Sequence, residues 1–130
     1  MADNILDSGR RRDFGTGAVR DVVDDKGRFD LMPPRAEREL SIHFQQGAKK
    51  YADRNWEKGI PLGVFYDSLR RHLGKIMMKE HDERHDRAMA WNAMAFLETS
   101  ERIKEGVLPR SLDDIGWIRD EDMKLPVSTP

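Results

Sequence analysis

The chain contains no cysteine, which excludes disulfide bonds and thiolate metal sites. It has no apolar run approaching the ~18 residues that a spanning helix needs, so no membrane partner is expected. Neither sign of charge prevails: 23 Lys and Arg face 24 Asp and Glu, for a net charge of −1. That balance gives no electrostatic case for nucleic acid or an anionic membrane surface as a partner. The opening residues, MADNILDSGRRRDFG, lack the apolar segment of a secretion signal, so a cytoplasmic protein is expected. There is also no glycine-rich phosphate loop, no Gly-x-Ser-x-Gly and no His-Glu-x-x-His. What remains is a chain of 130 residues, 36% charged and 38% apolar. That is enough for one surface-rich, helical domain around one core.

Residues 1–32 hold Gly9, Gly15, Gly17 and Gly27 and few core formers, so they read as a loop-rich basic segment with Arg10, Arg11 and Arg12 solvated. Pro33-Pro34 then marks a helix start, because proline suits the first helical turn and pushes the preceding residue to extended geometry. The spacing predicts a first helix over 34–53, with Ala36, Leu40, Phe44, Ala48 and Tyr51 on one stripe, Glu37 beside it and Glu39 turned away. Residues 51–63 read as a structured loop. A second helix is predicted over 63–79, with Phe65, Leu69, Leu73, Ile76 and Met77 facing the core and His72 at the edge of that face. A third is predicted over 84–105, with Ala88, Met89, Phe96 and Ile103 on its stripe and Trp91 and Ala95 on its flank. A helical turn near 111–115 follows, led by Ser111 with Asp113 and Asp114 behind it. No strand alternation stands out. The expected fold is all-α: a small bundle of three main helices. It comprises a helical core over 33–106, the loop-rich segment before it and a tail over 107–130. Three such helices make a small core, so a homo-oligomer is expected to complete it.

Within the third stripe lie two polar residues, His85 and Asn92. Burying a polar group costs roughly 1–3 kcal/mol unless it is partnered, so each faces either a core hydrogen bond or a pocket. His85 belongs to the stretch EHDERHD at 80–86, which places Asp82, Glu83 and Asp86 around the start of the helix. Such carboxylates suit a hard divalent cation, Mg²⁺ or Mn²⁺. They equally suit a solvated turn whose acids favour the helix N-terminus. Glu83-x-x-Asp86 would share a face if the helix began early enough. A second cluster, Lys49, Lys50 and Arg54 interleaved with Tyr51 and Trp56, can neutralise phosphates and stack on a base, or simply end a helix with cations. Arg70, Arg71 and His72 form a third group, in which Asp67 and Arg71 make an ordinary i,i+4 pair.

In order, the segments FGTGAVRD (14–21), KGRFDLMPP (26–34), GAKKYADRNWEKGIPL (47–62), YDSLRRHL (66–73) and DERHDRAMAWN (82–92) resemble the small phage and prophage family of dATP/dGTP diphosphohydrolase N-terminal domains. The resemblance covers about residues 14–100. It implies an all-α nucleoside-triphosphate pyrophosphatase of the MazG-like type, working in the host cytoplasm. Such an enzyme cleaves a purine deoxynucleoside triphosphate such as dGTP or dATP between its α- and β-phosphates, with Mg²⁺ or Mn²⁺ as cofactor. Under that resemblance Asp82, Glu83, Asp86 and Glu37 are the expected metal ligands, and Glu83 and His85 the catalytic pair. Lys49, Lys50, Arg54, Arg71 and His72 are expected at the phosphates, and Asn55, Trp56 and Asn92 at the base. Arg20, Lys26 and Arg28 are expected on a segment that closes over the nucleotide. One departure stands out. MazG-like sites carry Glu-x-x-Glu on one helix and Glu-x-x-Asp on the next, whereas here Glu37 and Glu39 are two residues apart and only Glu83-x-x-Asp86 has the interval. The alternative is a phage protein that binds and sequesters a nucleotide without cleaving it.

Overall fold

The computed structural model describes residues 5–124. The end of the expected tail, with Pro126 and Pro130, lies outside them. The chain divides into two compact units, Met1–Pro33 and Pro34–Pro130.

The first unit holds a short antiparallel hairpin of β1 (Arg11–Asp13) and β2 (Val19–Asp21), in register Arg11↔Asp21, Arg12↔Arg20 and Asp13↔Val19. Its turn is built locally. Asp13 Oδ1 accepts from Gly15 N at 2.8 Å, and Gly15 and Gly17 take φ of 79° and 94°, which side-chain-bearing residues adopt only with strain. The sequence shows no strand here because nearly every hairpin side chain is exposed. With no buried face there is no alternation to read. Charge pairs hold the ribbon: Arg11 with Asp7 at 2.7 Å, and Arg10 with Asp24 at 3.1 Å.

The second unit contains α1 (Pro34–Lys50), α2 (Leu62–Met77) and α3 (His85–Lys104). No helix among the described residues is long and apolar enough to cross a membrane. α1 stops at Lys50, short of the expected 53, because Ala52 and Arg54 take φ of 153° and 59° and turn the chain into a 3-10 turn over Asn55–Lys58. α2 and α3 run antiparallel. The start of α2 meets the end of α3 where Leu62 packs with Ile103, and His72 near the end of α2 meets His85 at the start of α3.

The seam between them explains their closeness. α3 buries His85, Ala88, Asn92, Ala95, Thr99, Ser100 and Ile103. Most of these are small, so the helices approach tightly, and α2 fills the groove with Leu62 and Phe65. Met89 and Phe96, expected at the centre of the α3 stripe, sit at its edge, half-buried.

α1 buries no residue fully. It lies on α3 through His43 and Phe44, both against Trp91; Leu40 and Ala48 are half-buried too, while Ala36 and Tyr51 of the expected stripe are exposed. The expectation for Glu39 is overturned: it reaches across to Arg87 of α3 at 2.7 Å. In α2 the expected core residues Leu73, Ile76 and Met77 are exposed, Met77 by 77%.

The residues after Gly106 fold back onto the helices. Ile118 joins Leu62 and Ile103 in the core, flanked by Leu108, Leu112 and Met123. Lys124 N donates to Lys104 O at 2.9 Å. The helical turn falls at Arg110–Leu112. Asp113 accepts from the amides of Trp117 and Ile118 at 3.0 and 2.7 Å. Asp114 accepts from Gly63 N at 2.7 Å and so caps α2 from 51 residues away.

Candidate functional site

Where α2 ends and α3 begins, the fold gathers imidazoles and carboxylates. His72 comes from α2, Asp82 and Glu83 from the connecting loop, and His85 is the first residue of α3, 2% exposed. His72 Nδ1 lies 2.9 Å from His85 Nδ1. His85 Nε2 donates to Asp82 Oδ1 at 2.7 Å, and that bond holds the Asp82 carboxyl below its usual range. With its Nε2–H committed to Asp82, His85 accepts at Nδ1 from His72 Nδ1–H. His72, Glu83 and His85 each offer a ligand atom, all within 4.8 Å of one another. Burial holds His72 below the ordinary imidazole value, against the opposing pull of Glu83. His43 of α1 is lowered in the same way, first by burial and then by His72 and Arg87. Neutral imidazoles are the form that binds metal.

The donor set fits a divalent ion. Were an ion bound there, the Asp82–His85 bond would orient the imidazole from behind. Glu80 and Asp82 form a second group with His85, but there Asp82 already takes the His85 Nε2–H.

Further along α3 opens a cleft of about 400 Å³, lined by Asn92 two turns on from His85 and by none of the cluster residues. Trp91 of α3 stands at its centre, with ring centroids 5.9 Å from Phe44, 5.9 Å from Trp56 and 6.0 Å from Phe65. Trp56 arrives from the 3-10 turn that the Arg54 backbone sets up. Arg54, Asn55 and Asn92 add polar groups to the lining. His43 relates the two features, since it lines the cleft, stands 5.8 Å from Trp91 with the rings tilted by 44°, and lies within reach of the charge of His72 and Glu83.

Of the sequence-predicted residues, Asp82, Glu83, His85 and His72 meet in the cluster, and Arg54, Asn55, Trp56 and Asn92 meet in the cleft. Asp86 does not join them. Arg84 holds it through two hydrogen bonds of 3.0 and 2.9 Å, which push its carboxyl down to about 2. Glu83-x-x-Asp86 makes no shared helical face, because α3 starts at His85 and leaves Glu83 in the loop. Glu37 is exposed in the first turn of α1 and enters no ligand group among the described residues. Lys49 and Lys50 are exposed at the end of α1, with Lys50 over the Tyr51 ring. Arg71 is held along its own helix by Asp67 and Ser68, each at 2.9 Å. Arg20, Lys26 and Arg28 belong to the first unit, where Arg28 pairs with Asp30 at 2.8 Å and Lys26 with Asp21 at 3.8 Å. Sequence reasoning passed over His43 and Arg87 and left Trp91 on a flank. The signal for His43 was present: it falls three residues after Leu40 and four before Gly47, on the α1 stripe itself.

Residues 16–107 match the model of a family described as dATP/dGTP diphosphohydrolase, N-terminal. No curated protein and no solved structure matches the chain.

Proposed function

The chain belongs to the dATP/dGTP diphosphohydrolase N-terminal family, and on that premise we propose that it hydrolyses a purine deoxynucleoside triphosphate with the help of a divalent ion. Water adds across the anhydride between the α- and β-phosphates, the bridging P–O bond breaks, and a monophosphate and pyrophosphate leave. The observation that supports this reading is that α3 carries both an aromatic cleft, at Trp91 and Asn92, and the His72–Glu83–His85 cluster at its start, with His43 lining the cleft and within reach of the charge of His72 and Glu83. The cleft offers stacking faces for a base, and a polyphosphate would extend along α3 towards the cluster.

His72, Glu83 and His85 would hold the ion. Two imidazoles and one carboxylate suit Mn²⁺ better than Mg²⁺, which prefers an all-oxygen set. Bound there, such an ion supplies positive charge to the phosphates and a more acidic water. Asp82 keeps His85 in one tautomer and one orientation. His43, whose pKa burial lowers, would take a proton from the attacking water. Arg54 at the cleft, and Lys49 and Lys50 at the end of α1, supply further positive charge for the phosphates. A second copy of the chain would cover the exposed apolar side chains Tyr66, Leu73, Met77 and Leu97.

Purified protein incubated with each of the four dNTPs and either Mn²⁺ or Mg²⁺ is expected to release pyrophosphate and a monophosphate, fastest from a purine. Glu83→Gln and His85→Ala are expected to abolish release while the far-UV circular dichroism is kept. Unchanged turnover in Glu83→Gln removes that residue from the site. Tight nucleotide binding with no release under either ion refutes hydrolysis and leaves a sequestering protein.

A further inference from the structure

Asn92 is the one amide buried in the α3 seam, 7% exposed, and it also lines the cleft. Its Nδ2 donates to Ala88 O at 2.8 Å. Only the nitrogen of an amide can donate to a carbonyl, so this bond fixes which way the side chain faces. Its Oδ1 receives no hydrogen bond among the described residues. Among the described residues, no buried side-chain oxygen or nitrogen is both sealed from solvent and unpartnered. The Oδ1 is therefore open to solvent, and since Asn92 lines the cleft it is a fixed acceptor on the wall that Trp91 also lines.

We infer that Asn92 reads the base by accepting an N–H from its exocyclic amino group. This inference rests on the proposal that the cleft is the nucleotide site. An acceptor held by a second bond to the helix cannot rotate to become a donor, so it selects for a donor on the base. The amino group sits at C6 of adenine, where guanine has a carbonyl, and at C2 of guanine, where adenine has only a C–H, so a fixed acceptor meets the amino group of one purine and not of the other. A base that offers only a carbonyl there would set two acceptors against each other and leave Asn92 unpaired in a poorly solvated place. Such a site rejects analogues lacking the donor more strongly than an apolar pocket rejects a change of size.

The test is calorimetric titration of the whole protein with four product-like monophosphates: dGMP, dIMP, dAMP and purine 2′-deoxyriboside 5′-monophosphate. The second and fourth lack the amino group of the first and third. In the pair whose amino group faces Asn92, the amino-bearing nucleotide is expected to bind about tenfold tighter than its partner, the scale of one neutral hydrogen bond in a dry site, while the other pair differs by less than about twofold. In Asn92→Leu, which keeps the size and removes the acceptor, that tenfold ratio should fall to within about twofold. Equal affinities in the wild-type protein overturn the inference, as do ratios that Asn92→Leu leaves unchanged or an absence of binding by all four. If Asn92→Leu does not fold, the wild-type ratios decide. Pyrophosphate release is measured separately. Discrimination without release refutes the hydrolase reading and leaves the role of Asn92 standing.

Discussion

The cap that Asp114 places on α2 makes a prediction whose sign depends on background. Gly63 donates its amide to Asp114 Oδ1 at 2.7 Å. A Cβ added at Gly63 would meet Asp114 Oδ2 at 2.8 Å and Oδ1 at 3.0 Å, too close to coexist with that bond. Gly63→Ala in the wild-type chain therefore combines two opposed effects. Alanine favours the helix over glycine by up to about 1 kcal/mol, and displacing the cap costs about 1 kcal/mol. The net change should lie near zero. Asp114→Ala alone removes the cap and should lower the melting temperature by roughly 4 °C, the shift for about 1 kcal/mol in a unit of this size. In the Asp114→Ala background the clash is gone, so Gly63→Ala should then stabilise, and the two substitutions should couple by about 1 kcal/mol. Urea unfolding of the four proteins, followed by far-UV circular dichroism, measures the cycle. Additivity within about 0.3 kcal/mol would refute the capping account. Turnover well below the melting temperature should be unaffected in all four, since His72 and His85 lie at the other end of the α2–α3 pair.

Two further outcomes follow from the site. Trp91→Ala removes the ring that touches His43, Phe44, Trp56 and Phe65. It is expected to lower stability by about 3 kcal/mol in urea and to weaken nucleotide binding; retention of both would show that the aromatic group is not a working wall. Acidification should destabilise the protein. Burial lowers the His43 pKa from 6.5, so below that value the unfolded chain takes up a proton that the native state refuses, and stability falls with pH. His72 acts in the same direction. The groups facing His43 are His72 and Arg87, which oppose its charging, and Glu83, which favours it. Comparing urea midpoints at about pH 7.5 and about pH 5.5 should show the drop, and His43→Gln should make it smaller. A midpoint that rises on acidification contradicts the assignment.

The helices were legible where local rules and tertiary packing agree. Pro33-Pro34 and the loop at 51–63 bound α1, and the 3.6-residue period marks α2 and α3. His85 and Asn92 stood out as polar residues on a buried face, and they lie in the cluster and the cleft. Three features were hidden for physical reasons. The β1–β2 hairpin is held by ion pairs and turn geometry rather than a buried face, so it leaves no apolar alternation. The α3 seam is lined largely by Ala, Thr and Ser, which hydropathy patterns rank below the large residues Met89 and Phe96 beside it. Whether Glu83 and Asp86 share a face depended on one residue of helix register. Lys79 at φ 59° and the loop after it delay the start of α3 until His85, which frees Glu83 to approach His72 and leaves Asp86 to Arg84. Glu39 shows the same limit from the other side. Its sequence position says surface, and only the packing of α1 on α3 brings Arg84 and Arg87 to it.

The chain has three tryptophans, and two of them, Trp56 and Trp91, stand with centroids 5.9 Å apart and planes inclined at 78°. Indoles this close share their excited states. Their strong far-ultraviolet transitions should mix into a paired band of opposite signs, and absorbed light should migrate between the rings before it is emitted. Trp117, 62% exposed and elsewhere on the surface, stands apart from the pair. The cleft thus carries its own optical reporter: a ligand that wedges between or covers the paired rings would alter their coupling with no added dye.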